Sequence, residues 1–262
     1  MDKLHKIYSD IKEVRIQGAT NIAKAAVTAY MLKPNAENKK KLLSLRPTEP
    51  TLSNALNLID KAGAEKVLSH FTESQKKINK LVLKIIKNGM NIYTHCHSTN
   101  VIKALVYAKK NGKKFEVYNT ETRPLFQGRV TAKELAKNGI KVTTFVDSAL
   151  LEGIKKSDLI LLGADAILRE GIINKVGSGT IAELASIHKK PLYIIADSWK
   201  FSPKNVPIEE RDFHEVWKNA SKKIKIRNPA FEKIEKKYIK GIISEHGLLS
   251  FEEFIEKMKK LS

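Results

Sequence analysis

Asn91–Ser98 reads N-I-Y-T-H-C-H-S. Its first half, Ile92-Tyr93-Thr94, is β-branched and aromatic, the composition of a strand. Its second half ends on Ser98-Thr99, residues suited to cap the helical pattern that follows. A strand handing over to a helix within a few residues is the unit of a parallel α/β sheet. Cys96, the only cysteine in 262 residues, sits at the handover between His95 and His97. Unpaired N–H groups at a helix N-terminus favour negative charge, so the spacing predicts a thiolate at Cys96.

The same texture continues outward. Short apolar or β-branched runs at Ile92–His95, Phe115–Asn119, Val142–Val146, Leu159–Leu162 and Leu192–Ala196 alternate with helical patterns. Those patterns fall at Thr99–Asn111, Thr131–Asn138, Ser148–Lys155 and Gly179–His188. The alternation predicts a Rossmann-like parallel sheet with helices on both faces. Residues 1–88 differ: apolar residues recur at helical spacing, including Ile7, Ile11, Val14 and Ile22, Ala25, Ala26, Ala29. Further helices are expected at Ala36–Leu45, Leu52–Asp60, Ala64–Phe71 and Glu73–Lys87, with a stop at Asn88-Gly89. The fold class is therefore α/β, an N-terminal helical domain (1–88) followed by a Rossmann-like domain (89–262). After Pro203 the pattern is less regular; Lys223–Ile226 reads as a further strand and Phe251–Leu261 as an amphipathic helix.

Ligands bind beyond the carboxyl ends of such strands. Cys96, Glu121, Asp147, Asp165 and Asp197 follow the five runs in turn, an enzyme-like set at one edge. Asp165 ends the apolar run Leu161-Leu162-Gly163-Ala164, where desolvation raises a carboxyl toward the range used in proton transfer. Asp147 starts a helical pattern and reads as structural.

The formal charge is +20, yet 41 of the 48 basic residues are lysines spread through every segment. Nucleic-acid readers rely on arginine and interleaved aromatics, so specific nucleic-acid binding is not expected. Against so much lysine, Arg46, Arg123 and Arg129 suggest bidentate work on phosphate or carboxylate. One cysteine makes no internal disulfide, and no apolar run nears the ~18 residues of a membrane span, so a cytoplasmic protein is expected. His95-Cys96-His97 suggests metal ligands, but alternate residues of a strand face opposite ways and no second cluster completes a site; no metal is expected. Asn174-Lys175-Val176-Gly177-Ser178-Gly179 runs into a helix as a weak phosphate cradle. Thr120-Glu121-Thr122-Arg123-Pro124 with Gln127-Gly128-Arg129 supplies groups to orient a polyhydroxylated ligand, or a Glu121–Arg123 network holding the loop.

The segments T-H-C-H-S-T, T-E-T-R-P-x-x-Q-G, G-A-D, I-I-N-K-V-G-S-G and A-D-S-W-K-F occur here in order. So do Val14–Ala19, Arg46-Pro47-Thr48 with Ser53-Asn54-Ala55, and Arg227-Asn228-Pro229. Together they resemble one family: the α, β and δ regulatory subunits of translation initiation factor 2B, methylthioribose-1-phosphate isomerase and archaeal ribose-1,5-bisphosphate isomerase. The likeness spans nearly the whole chain. The isomerases pair a cysteine in the T-H-C segment with the aspartate of G-A-D, and Cys96 with Asp165 resembles that branch, the bisphosphate isomerase most of all. The resemblance implies an aldose–ketose isomerase forming ribulose 1,5-bisphosphate in archaeal AMP breakdown. Cys96 and Asp165 would be the acid/base pair, and Gly18, Arg46, Ser98, Gln127, Asn174 and Lys175 would bind phosphates and hydroxyls. Gln17, Glu121 and Arg123 complete the expected set. It further implies no required cofactor, AMP as a candidate allosteric activator, and a homo-oligomer, dimer or hexamer. The family commonly has R-G-A where this chain has Gln17-Gly18-Ala19; Arg15 is the nearest guanidinium. A non-catalytic initiation-factor-like subunit and a methylthioribose-1-phosphate isomerase are the competing readings.

Overall fold

A computed structural model describes residues 2–13, 15–16 and 18–261. Five helices open the chain: α1 Lys3–Lys12, α2 Ala19–Leu32, α3 Ala36–Leu45, α4 Pro50–Ala62 and α5 Ala64–Ile85. Gly63, at a φ of 79°, turns the chain between α4 and α5; that left-handed conformation suits glycine. The helices expected at 64–71 and 73–87 are one, because Thr72-Glu73 contains no breaker and the apolar stripe runs through it. That stripe serves two cores. Val67 and Phe71 pack with α1–α4, whereas Ile78, Val82 and Ile86 pack against the sheet.

The sheet begins with β1 Met90–Thr94, then α6 Thr99–Lys110, β2 Phe115–Thr120, α7 Gln127–Lys137 and β3 Lys141–Phe145. It continues with α8 Leu150–Lys156, β4 Leu159–Leu162, β5 Ala166–Leu168, β6 Gly171–Lys175, α9 Ser178–Ile187 and β7 Leu192–Ile195. β8 Phe231–Glu235, β9 Gly241–Ser244, β10 Gly247–Leu249 and α10 Phe251–Leu261 close the chain. Seven strands lie in the order β10-β9-β7-β4-β1-β2-β3, parallel except for β10. Alternate residues of β4 show why helices cover both faces. Ile160 and Leu162 join the core under α8, α9 and α10, while Leu159 and Leu161 join the core under α5, α6 and α7. Leu161 is fully buried, and its truncation to alanine would cost about 2–5 kcal/mol.

The chain runs outward through β1, β2 and β3, then returns to place β4 on the other side of β1. Such a reversal leaves a crevice between the carboxyl ends of the two central strands. A second sheet, β5-β6-β8, is antiparallel and was not expected. Its hairpin turns through Gly171, where a Cβ would meet the Ile234 carbonyl oxygen at 2.2 Å. The strand expected at Lys223–Ile226 is absent: these residues form a mostly exposed turn with no ladder partner among the described residues. No described helix is long and apolar enough to cross a membrane.

Candidate active site

β1 stops at Thr94, so the alternation argument fails one residue before the cysteine. Cys96 sits outside the strand at a φ of 61°, a left-handed conformation that costs energy for a residue with a side chain. Neighbours hold it there. Its N–H donates to Thr122 Oγ1 at 3.1 Å, and its carbonyl accepts from the Thr131 hydroxyl at 2.7 Å. Asp147 in turn accepts from the backbone N–H groups of Thr122 and Arg123 at 2.8 and 2.7 Å. Its structural role is therefore to fix the loop that fixes Cys96, rather than to cap its own helix.

The histidines have separate tasks. His95 Nε2 faces the Val176 carbonyl at 2.9 Å, so that nitrogen carries the hydrogen and Nδ1 accepts from the Thr120 hydroxyl at 2.9 Å. This buried, neutral ring braces the turn leading into α9, and burial holds its pKa below the usual range. His97 Nδ1 meets Thr131 Oγ1 at 3.1 Å. Among the described residues no trio of His, Cys, Asp or Glu is grouped to hold a metal.

Cys96 and Asp165 face a common cavity of about 130 Å³ at the β1/β4 crevice. Of the residues singled out in the sequence, Gly18, Arg46, Ser98, Gln127, Asn174 and Lys175 line it as well. Gly163 lets the two sides approach: a Cβ there would meet Ser98 Oγ at 2.4 Å. Ser98 precedes α6 but its hydroxyl makes no capping bond, contrary to expectation. Instead Ser98 Oγ, Gln127 Oε1 and Arg46 Nη1 are buried with no hydrogen-bond partner among the described residues. Orphaned polar atoms around one cavity are what a polar ligand would satisfy.

Two residues of the expected set lie elsewhere. Glu121 accepts from Arg129 Nε at 3.1 Å, so its partner is Arg129, not Arg123. Arg123 reaches outward to the Val216 carbonyl at 2.9 Å. Neither borders the cavity. Arg15 is exposed and pairs with Asp10 and Glu13, so it does not replace the missing family guanidinium. Gln17 falls outside the described residues. The Gly-rich turn is partly taken up internally, because the Gly179 N–H donates to Glu232 Oε1 at 2.5 Å. Asp197 turns away toward His70, whose Nε2 lies 3.8 Å from Oδ1.

The structure adds groups that sequence patterns missed: Glu49, Lys200, Glu209 and Arg211. Arg46 Nη2 bridges Glu49 Oε1 and Glu209 Oε2, each at 3.2 Å. Lys175 and Lys200 are buried, 5% and 6% exposed, with no ion pair among the described residues. Buried cations without an ion pair lining a cavity suit an anionic ligand. Burial pushes the Asp165 carboxyl up, against the pull of Lys200, Arg46 and Lys175. Burial, then Asp165, lifts Glu49 to about 8. Cys96 departs from expectation: burial pushes its thiol up to about 12, with Lys175 pulling the other way. Desolvation outweighs the Lys175 charge, so the resting group is a thiol.

A cation-lined crevice at the reversal point of a Rossmann-like sheet, with a thiol and a protonatable carboxyl inside, defines an α/β protein built to act on an anionic ligand. The chain belongs to the initiation factor 2 subunit family, which matches residues 9–251. It is 36% identical to a ribose 1,5-bisphosphate isomerase of Methanocaldococcus jannaschii, over 95% of this chain and 92% of that one. A protein of the same description from Archaeoglobus fulgidus is 35% identical, over 95% and 90%. Among solved structures, a translation initiation factor eIF-2B of Pyrococcus horikoshii OT3 superimposes with a TM-score of 0.87 at 26% identity, covering 95% of this chain and 98% of that one.

Proposed function

We propose that this protein is a ribose-1,5-bisphosphate isomerase. The observation that carries the reading is the joint presence of Cys96 and Asp165 in one cavity with four cationic side chains, Arg46, Lys175, Lys200 and Arg211. The similarity to relatives of that description supports it.

The chemistry asks for these groups. A sugar phosphorylated on its anomeric oxygen cannot open to a free aldehyde, so the ring oxygen must be protonated as the C1–O4 bond breaks. Asp165, whose carboxyl burial pushes up toward the protonated form, gives that proton. Cys96, as thiolate, takes the proton from C2, leaving an enol phosphate, and returns it to C1. Asp165 recovers a proton from the C2 hydroxyl as the ketone forms, so both groups end as they began. Lys175, Lys200 and Arg46 hold the phosphates, and Ser98, Gln127 and Asn174 the hydroxyls.

The same reading includes a homo-oligomer, dimer or hexamer, and AMP as an activator. Exposed Ile208, Phe213 and Trp217 support self-association. Purified protein incubated with ribose 1,5-bisphosphate should form ketose, and Cys96→Ser should abolish the reaction. Absence of turnover with or without AMP overturns the reading. Capture of initiation factor 2 by a catalytically silent protein would then favour the regulatory-subunit alternative, which the eIF-2B likeness supports.

A further inference from the structure

Glu49 is the N-cap residue of α4, but its side chain makes no capping bond. Unpaired N–H groups at a helix N-terminus favour a carboxylate that stays beside them. Glu49 is instead 3% exposed and borders the active-site cavity together with Asp165. Its Oε1 accepts from Arg46 Nη2 at 3.2 Å, and its Oε2 is buried with no hydrogen-bond partner among the described residues. A half-bonded carboxylate inside a protein is costly, and taking up a proton removes most of that cost.

The nearby cations are already divided. Arg46 is shared between Glu49 and Glu209, the latter also at 3.2 Å. Arg211 donates to Glu215 from Nε at 2.9 Å and to Glu209 from Nη1 at 3.3 Å. Two guanidinium groups thus serve three carboxylates before Asp165 is counted. Lys175 and Lys200 remain, and a bound phosphate would engage both. The other titratable groups of the wall, His95, Cys96 and His97, are kept uncharged near neutrality by burial. Two carboxyls in one small cavity, short of free cations, do not ionise independently. The electrostatic balance agrees: burial and then Asp165 push Glu49 up against Arg46 and Lys200, and Glu209 adds to the push on both carboxyls.

We propose that Glu49 and Asp165 share protons as a coupled pair, so that Glu49 governs the pH range over which Asp165 serves as the acid. Glu49 is a positioning residue in this role, because it acts on the sugar only through Asp165. An ionised Glu49 makes the loss of the Asp165 proton harder, and the acid survives to higher pH. Turnover needs that survival. The rate climbs with pH as Cys96 ionises, and it levels off where Asp165 begins to lose its proton. That kinetic consequence rests on the isomerase reading; the pairing itself does not.

Infrared titration of the protonated-carboxyl band tests the pairing without any ligand. Each protein is referenced to its own Asp165→Asn counterpart, so the difference band follows the acid. Its midpoint should lie about one pH unit lower in E49Q than in the native protein. Glu49→Asp, which restores the charge on a shorter stem, should recover part of that shift. Equal midpoints in the native and E49Q proteins overturn the proposal, and so does a Glu49→Asp midpoint no higher than that of E49Q. With ribose 1,5-bisphosphate, the kcat of E49Q should fall behind the native value between pH 6 and 9, the gap widening about tenfold for a shift of that size. A gap that stays constant across this range marks a merely structural role and also overturns the proposal. Absence of turnover in the native protein removes only the isomerase reading, since the infrared titration still decides the pairing.

Discussion

Replacing Glu49 with glutamine removes a buried proton-binding site at almost constant shape. Glu49 is 3% exposed, its Oε1 accepts from Arg46, and its Oε2 is buried without a partner among the described residues. Burial and the nearby Asp165 carry its carboxyl from an ordinary value near 4.5 to about 8. Between those values the folded chain keeps a proton that the unfolded chain has released. The resulting stability is fully present below about 4.5 and is lost as pH rises through about 8. At ~1.4 kcal/mol per pH unit the whole interval bounds the effect at roughly 5 kcal/mol. Asp165 is raised as well and shares the repulsion, so one substitution recovers only part, about 1–3 kcal/mol.

Glutamine carries its hydrogens without charge at every pH and can still accept from Arg46. The E49Q protein should therefore lose less stability than the native protein between pH 5 and 8, by that amount. Urea unfolding at pH 5, 6, 7 and 8, at constant ionic strength, measures it. Parallel stability curves for the two proteins would show that Glu49 ionises as freely in the folded state as in the unfolded one, and the account of the buried carboxyl pair would be wrong.

Cys96, pushed up to about 12, is scarce as thiolate near neutrality, so kcat should climb close to tenfold per pH unit until another group limits it; a flat profile from pH 6 to 9 counts against the thiolate. Substrate deuterated at C2 should lose part of its label to solvent during turnover, to the extent that the proton on Cys96 exchanges before its return to C1; loss seen by mass spectrometry excludes direct hydride transfer. Lys200→Gln should raise KM about tenfold or more, the value of a charge-assisted hydrogen bond, with a smaller change in kcat; an unchanged KM removes Lys200 from phosphate binding. Gly163→Ala should displace Ser98 at a cost of about 1–3 kcal/mol, readable as a lower unfolding midpoint together with weaker substrate binding.

What could be read from the chain was local, and what could not was assembled at a distance. Strand runs such as Leu159–Leu162 announce themselves because each is buried on both faces, and G-A-D follows directly. For Cys96 the local pattern predicts the right edge of the sheet but the wrong geometry and charge. Strand alternation stops at Thr94, and the thiol's surroundings include Lys175 on β6 and Thr122 beyond β2. Glu121 and Arg123 carried a convincing pattern, yet Arg129 lies on the adjoining helical turn and claims Glu121 first. Glu49 is the opposite case. In sequence it is one carboxylate between two prolines in a loop; in the structure Arg46 and Glu209, 163 residues apart, close around it and exclude water. Burial created by distant segments, not residue type, turns Glu49 from a surface charge into a proton-holding neighbour of Asp165. The first observation to make is thus the E49Q stability profile, because it probes that burial without requiring any substrate.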